Sequence, residues 1–397
     1  MQDNTMTNLP QGWEKFNFDN IFYSPSSKNY QLNTKDYLDK GCIPIIDQSK
    51  KFIIGYSNNY EKIFKINNCN NSCIIFGDHT RVLKFIDFDF IVGADGVKIL
   101  LNKDIERFNT KFLFFQLLYK DIPLLGYRRH FSVLKQNTFI IPPLKEQERI
   151  VGILDESFAN IDESIKNLEQ DLLNLDELMQ SALQKAFNPL KDNAKENYQL
   201  PQGWEWKSLN SVVLKTSNIN PCNFNEDKFY YIDISSIDNK NFCIYNIKNI
   251  YKQDAPSRAR KDVLYGDVLY ATTRPNLKNI AINYYNFNNI VASTGFCILR
   301  ANEKLNNKYL FFFLLSDIFD NYINKYIRGA QYPSVSDKDI FNSKIPLPPL
   351  QEQEQIASYL DELSLNIKDL KQNYQAQIKN LQELKKSLLD RAFKGRL

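Results

Sequence analysis

The chain has 397 residues, with 50 basic and 46 acidic side chains and a formal net charge of +4. An apolar share of 43% and a charged share of 24% are those of a folded globular chain and exclude global disorder and collagen-like repeats. The longest strongly apolar run, Tyr309 to Leu315, falls far short of the roughly 20 residues a membrane span needs.

The start, MQDNTMTNLPQGWEK, lacks a basic-then-apolar signal, so export is not expected and the expected location is cytoplasmic. Six scattered cysteines (Cys42, Cys69, Cys73, Cys222, Cys243, Cys297) fit free thiols in a reducing compartment.

Self-comparison reveals one unit used twice. Leu9-Pro10-Gln11-Gly12-Trp13-Glu14 recurs as Leu200-Pro201-Gln202-Gly203-Trp204-Glu205. Pro142-Pro143-Leu144-Lys145-Glu146-Gln147-Glu148 recurs as Pro348-Pro349-Leu350-Gln351-Glu352-Gln353-Glu354. Between these anchors, Ile75-Phe76-Gly77-Asp78 is set against Leu264-Tyr265-Gly266-Asp267, Gly96-Val97 against Gly295-Phe296, and Phe112-Leu113-Phe114-Phe115 against Tyr309-Leu310-Phe311-Phe312. Ala186-Phe187 and Ala392-Phe393 close the two repeats. The division is a tail (1–10), a globular region (11–141), a helix (142–187), a linker (188–199), a second globular region (200–347) and a second helix (348–397).

The globular regions read as α+β. Short β-branched and aromatic runs at 43–46, 73–76, 90–92, 229–234, 268–271 and 295–299 are broken by Asn, Gly and Asp, which predicts strands and turns. Helices are expected near 108–119 and 306–315, where the apolar run outlasts a strand.

Each Pro-Pro suits the turn before a helix, because proline lacks the N–H that a helix interior needs. Val151, Leu154, Phe158, Ile161, Ile165, Leu168, Leu172, Leu175, Met179, Ala182 and Ala186 then alternate by three and four, a heptad seam. The second stripe runs Ile356, Leu360, Leu363, Ile367, Leu370, Tyr374 and slips one step to Ile378, Leu381 and Leu388, which predicts a stutter. Neither stripe can be buried by its own helix, so the two are expected to pair as a coiled coil.

The charge is unevenly placed. Residues 11–141 and 200–347 each carry +5, the first helix −6 and the second +1. Duplicated basic domains suggest a polyanion with two sites, and DNA is the obvious candidate. Loop-like segments supply groups for phosphates and base edges. In the first region these are His79, Thr80, Arg81, Lys84, Tyr127, Arg128, Arg129 and His130. In the second they are Arg258, Arg260, Lys261, Thr273, Arg274, Asn276, Arg328, Gln331 and Tyr332.

Catalytic and metal signals are sparse. Two histidines give little material for zinc or imidazole catalysis, so no metal site is expected. No GxxxxGK[ST] loop, strand-linked GxGxxG or Asn-Pro-Pro-aromatic tetrapeptide occurs, which argues against ATP, dinucleotide or amino-methyl transfer chemistry on this chain. No catalytic residue is assigned.

The duplicated Gly-Trp-Glu opening, variable globular region and Pro-Pro-Leu-x-Glu-Gln-Glu helix ending in Ala-Phe resemble the specificity (S) subunits of type I restriction–modification systems. Gly266-Asp267-Val268-Leu269-Tyr270, Arg274-Pro275 and Ala292-Ser293-Thr294-Gly295-Phe296 are similar to one recognition-domain subtype. Phe76-Gly77-Asp78-His79-Thr80 and Arg129-His130-Phe131-Ser132 are similar to another. Pro189 stands where the second repeat has Gly395.

The resemblance implies two target-recognition domains on antiparallel paired helices that act as a ruler. It further implies an asymmetric bipartite target in double-stranded DNA and a subunit without catalytic activity of its own. Its implied partners are two methyltransferase (M) subunits and restriction (R) subunits, which carry S-adenosylmethionine, ATP and Mg. The exposed helix faces with Glu146, Gln147, Glu148, Glu352, Gln353 and Glu354 are the expected docking sites. Two other readings stay open: the recognition subunit of a system with fused methyltransferase and nuclease, and a coiled-coil scaffold without DNA binding.

Overall fold

The computed structural model describes residues 10–69, 71–93, 96–123, 126, 129–188 and 200–397. It contains two compact units. The first combines the N-terminal part of the chain up to Leu168 with Gln375–Leu397, and the second is Glu169–Tyr374.

Both units follow one plan. In the first, Phe22–Tyr23, Val97–Asn102, Cys73–Gly77 and Leu83–Ile86 form a four-stranded sheet in that spatial order. Beside it, Ile43–Ile46 pairs antiparallel with Gly55–Ser57 and parallel with Ile91–Val92. In the second, Val213–Leu214, Phe296–Ala301, Val268–Ala271 and Ile280–Ile282 repeat the first sheet. There Lys228–Ile232 pairs antiparallel with Lys248–Tyr251 and parallel with Ile290–Ser293.

A hairpin-like pair closes each unit, Glu14–Asn17 with Thr138–Ile141 and Glu205–Ser208 with Lys344–Leu347. The repeated Pro-Gln-Gly-Trp opens it as a tight turn. Trp13 N–H donates to Pro10 C=O at 3.0 Å and Trp204 N–H to Pro201 C=O at 3.1 Å. Gly12 and Gly203 sit at φ +82° and +87°, as the third position of such a turn requires.

The expected globular helices are present at Thr110–Tyr119 and Asn307–Leu314. Asn109 caps the first, its side chain accepting from Lys111 N–H and Phe112 N–H; Asn306 does the same for Lys308 and Tyr309. These side chains satisfy N–H groups that a helix start leaves without partners.

The long helices run Leu144–Phe187 and Leu350–Phe393, 44 residues each. Each is anchored at its start by the glutamine of the repeated Glu-Gln-Glu. Gln147 Oε1 accepts from Asn109 N–H at 2.8 Å, while its Nε2 donates to Arg107 C=O at 2.9 Å and Pro142 C=O at 2.8 Å. Gln353 makes the same three bonds to Asn306 N–H, Lys304 C=O and Pro348 C=O at 2.9, 2.9 and 2.8 Å. Both side chains are fully buried. The expectation that Gln147 and Gln353 face partner subunits is therefore corrected: they tie the long helix to the cap of the globular helix.

The helix ends are anchored by the repeated Ala-Phe, and the exchange is crossed. Phe187, at the end of the first helix, lies in the second unit with ring centroids 5.0 Å from Tyr309 and 5.6 Å from Phe313. Phe393, at the end of the second helix, lies in the first unit 5.4 Å from Phe112 and 5.3 Å from Tyr119.

The helices pair antiparallel within each unit. In the first, Asp162 pairs with Lys385 while Arg149 Nη2 donates to Leu397 C=O. In the second, Asp176 pairs with Lys371 while Ala182 and Leu183 share a core with Ala357 and Leu360. The predicted seam of the first helix is buried or half-buried at every position, and Ile150 joins it.

The phase change in the second helix comes earlier than the apolar pattern predicts. Leu370 is 40% exposed, whereas Lys371 turns inward and meets Asp176. Lys385 fills the next gap in the stripe, its Nζ 4.7 Å from the Phe158 ring. Lysine can occupy a seam position because its methylene stem packs while the ammonium reaches a carboxylate at the rim. An apolar-only reading skips such residues.

Among the described residues no helix is long and apolar enough to cross a membrane, and no disulfide joins Cys42, Cys73, Cys222, Cys243 or Cys297.

Substituting Gln353→Ala leaves one N–H and two C=O groups without their partner and should cost about 2–4 kcal/mol in urea unfolding. Gln353→Glu should lose a similar amount, because a carboxylate cannot donate to the two carbonyls. A Glu variant as stable as the parent would sink the pinning role. Phe187→Ala should cost about 3–5 kcal/mol by the same measurement.

Candidate nucleic-acid interface

In the first unit the candidate loops meet where the Cys73–Gly77 strand ends. Asp78 N–H donates to Gly96 C=O at 2.7 Å, and His130 N–H donates to Asp78 C=O at 2.8 Å. Asp78 is buried, and its Oδ1 accepts from Phe131 N–H at 2.9 Å. His79 N–H donates to Gln48 Oε1 at 3.1 Å and Thr80 Oγ1 donates to Gln48 C=O at 2.6 Å. The backbone is thus fixed while His79, Thr80 and Arg129 remain exposed.

A cleft of about 920 Å³ opens beside them, lined among others by His79, Arg129, Lys28, Lys98, Lys103 and Lys135, with Asp19 and Asp78 as its acids. Lys103 Nζ donates to Asp19 C=O, and Lys135 lies 3.7 Å from the Asp19 carboxylate. The positive groups outnumber the negative ones, which suits an anionic backbone.

The second unit repeats this arrangement. Thr272 N–H and Oγ1 both donate to Gly295 C=O, at 2.8 and 2.9 Å, and Val335 N–H donates to Thr272 C=O at 2.9 Å. Thr294 N–H donates to Arg258 C=O at 2.8 Å, and Arg274 N–H to Pro333 C=O at 2.7 Å. Arg328 and Ser334 exchange two backbone bonds at 2.9 Å. Segments around residues 258, 272–276, 294–295 and 328–335 are therefore laced together at one end of the sheets.

This bonding corrects the internal alignment. Asp78 corresponds to Thr272, since both donate to the repeated glycine and both accept from the segment before the last short helix. Asp267 sits at the opposite end of its strand. It is buried and holds Arg300, with Nε and Nη2 at 2.9 and 2.8 Å. The shared Gly-Asp dipeptide matched two residues in different structural roles.

The predicted residues divide by burial and bonding. His79, Thr80 and Arg129 are exposed in the first unit, as are Arg258, Arg274, Asn276, Arg328, Gln331 and Tyr332 in the second; Thr273 is half-buried. Arg328 is 3.3 Å from the Asp339 carboxylate. Tyr127 and Arg128 lie outside the described residues.

Several candidates are buried or engaged within the protein. Lys84 is buried, donating to Lys51 C=O at 2.6 Å and Phe52 C=O at 3.2 Å. Burial pulls its ammonium pKa down, opposed by Asp47 at 3.7 Å. His130 is fully buried, with Nδ1 2.9 Å from Asp78 C=O. Arg81 turns inward, its Nη1 donating to Ile122 C=O. Arg260 Nη1 donates to Ala259 C=O at 2.8 Å, and Lys261 forms an ion pair with Asp337 at 2.7 Å.

Of the docking candidates, Glu146 forms a 2.7 Å ion pair with Arg149 that holds its carboxyl below the usual range. Glu352 Oε2 accepts from Trp204 Nε1 at 3.1 Å. Glu148 and Glu354 are exposed.

Sequence reasoning missed Lys28, Lys98, Lys103, Lys135 and Gln48. Each lies apart from the Arg-rich loops, and only the fold assembles them around His79. No group of three or more His, Cys, Asp or Glu side chains among the described residues is placed to hold a metal.

Gly96 sits at φ +85°, and an added Cβ would lie 2.7 Å from both Gln48 Nε2 and His79 Cδ2. Gly96→Ala should cost about 1–3 kcal/mol and move the His79 imidazole resonances. Gly203→Ala, where a Cβ meets nothing within 4 Å, should leave those resonances in place. Unmoved His79 signals in the Gly96 variant would contradict the packing.

A family model described as the type I restriction modification DNA specificity domain matches residues 10–174 and 201–380. The EcoDI specificity subunit of a type I restriction enzyme from Escherichia coli is 22% identical over 222 residues, 53% of this chain and 48% of that protein. The chain thus spans about half the length of that relative. The EcoR124I/EcoR124II specificity subunit, also from Escherichia coli, is 23% identical over 375 residues, 84% of this chain and 82% of that protein. A solved chain from a study of assembly and conformational transition in a type I R-M system covers 98% of this chain and 100% of its own length. It superposes with a TM-score of 0.68 at 20% identity, a likeness of fold. With both repeats matched by one family model and the duplicated fold in place, the chain belongs to the type I restriction modification DNA specificity domain family.

Proposed function

We propose that this chain is the non-catalytic specificity subunit of a type I restriction–modification complex, reading an asymmetric bipartite target in double-stranded DNA. The observation that carries the reading is the repeated loop cluster. Each unit ties its strand-end loop to the segment before its last short helix by the same two backbone bonds. Each cluster leaves polar and basic side chains exposed there: His79 and Arg129 beside the basic cleft in one unit, Arg258 and Arg274 in the other. Two clusters with different side chains read two different half-targets.

The chemistry divides into two kinds of recognition. The lysines and arginine of the cleft would neutralise phosphates and supply sequence-independent, salt-sensitive affinity. Side chains at the loop tips would meet base edges in a groove, where donor and acceptor patterns differ between base pairs. Backbone held by internal hydrogen bonds pays less ordering entropy on binding.

The partners in this reading are two methyltransferase subunits and restriction subunits in the cytoplasm, with S-adenosylmethionine, ATP and Mg held by those partners. Glu148 and Glu354, exposed near the starts of the long helices, are offered as docking residues.

A gel-shift with the full chain and its methyltransferase partner should show DNA affinity above that of the partner alone, falling steeply with salt. Charge-neutral variants at Lys28, Lys98, Lys103 and Lys135 together should flatten the plot of log K against log salt by about 1 for each phosphate no longer neutralised. Exchanging residues 11–141 for those of another family member should change one half of the methylated motif and keep the other. No salt-sensitive gain over the partner alone, or an unchanged motif after the exchange, would defeat the proposal.

A further inference from the structure

Unit 2 contains five arginines: Arg258, Arg260, Arg274, Arg300 and Arg328. Three have their guanidinium engaged within the protein, on the Ala259 carbonyl, on Asp262 and Asp267, and on Asp339. Arg274 differs. Its backbone is held at φ +50°, a conformation that L side chains rarely adopt, and its N–H is bonded to Pro333 C=O at 2.7 Å. Thr273 bridges to Ser334 next to it. The guanidinium lies over the Tyr332 ring at 5.6 Å, and Tyr332 is 72% exposed. A pinned backbone and a cation–π contact therefore hold a planar, doubly donating group on an exposed residue of the loop cluster.

We propose that Arg274, lying over the Tyr332 ring, reads a guanine in the half-target bound by unit 2. This rests on the DNA-reading function proposed above. The major-groove edge of guanine offers two acceptors, O6 and N7, matching two parallel guanidinium N–H donors; adenine presents N7 beside an amino donor and cannot accept both. The contact with the ring restrains the side chain, so fewer rotamers are lost on binding than for an unsupported arginine.

Among the described residues of unit 1, the position matched to Arg274 carries no arginine. With Asp78 matched to Thr272, the counterpart of Arg274 is Thr80, whose hydroxyl is donated to Gln48 C=O. The contact assigned to Arg274 therefore belongs to the half-target bound by unit 2.

The test uses the full chain with its methyltransferase partner and two readouts, the host methylome and binding to duplexes mutated one base pair at a time. The half of the motif that follows residues 200–347 in a domain exchange should contain a G·C pair at which substitution is not tolerated. Arg274→Ala should lower cognate affinity roughly 10- to 100-fold, relax the requirement at that pair, and leave affinity for unrelated DNA within about threefold. Arg274→Lys, which keeps the charge and loses the fork, should behave like the Ala variant; Tyr332→Ala should show a smaller loss at the same pair.

An intolerant half-target without G·C would overturn the proposal. So would an Arg274→Ala motif identical to the parent's, or a uniform loss across all sequences that Lys restores, which marks a phosphate-binding role. Failure of the parent complex to bind DNA in a salt-dependent way is a distinct result, and removes the function on which the proposal rests.

Discussion

A helix of 44 residues with an apolar stripe along one side has to be covered along its whole length, because that stripe in water is unfavourable at every turn. The second helix is the same length and carries the complementary stripe, and the antiparallel pairing satisfies both. The rest of the architecture depends on this arrangement. Because the helices run in opposite directions, each unit receives the start of one helix and the end of the other. The repeated Glu-Gln-Glu and Ala-Phe motifs are the two fittings this requires. Gln147 and Gln353 bind starts to the caps of the globular helices, and Phe393 and Phe187 insert ends into the cores of the opposite repeats.

The loops, by contrast, are held by backbone bonding and are free to vary in side chain. The bonds from Asp78 or Thr272 to a glycine carbonyl, and from His130 or Val335 back to that residue, use only main-chain atoms. A scaffold that fixes backbone without fixing side chains allows two units of one fold to present different chemistry. In one unit His79 stands beside a lysine-rich cleft; in the other Arg274 lies over the Tyr332 ring.

Much of the secondary structure was legible because its signals are local. The Ile43–Ile46 and Val268–Ala271 strands and both long helices follow from alternation and heptad spacing. The stripe was misread only where lysine replaces leucine, at Lys371 and Lys385, since the amphipathic stem of lysine is invisible to an apolar count. The site was less legible. Gly266-Asp267 matches Gly77-Asp78 in letters, yet one precedes its strand and the other ends it. His130 and Lys84 look like surface polar residues and are buried, because their polar atoms find carbonyls that lie far away in sequence.

The sequence by itself determined the duplication, the two heptad-bearing helices, the α+β character of the globular regions and the segregation of positive charge into them. These are carried by residue type and spacing over short windows, where local sterics and periodic burial dominate. Tertiary structure alone decided the exchange of helix ends, the assembly of Lys28, Lys98, Lys103 and Lys135 around His79, and which arginines remain available. Those outcomes turn on whether a polar atom meets a distant partner after folding. A hydrogen bond between residues 48 and 79, or 274 and 333, leaves no trace in the spacing of either.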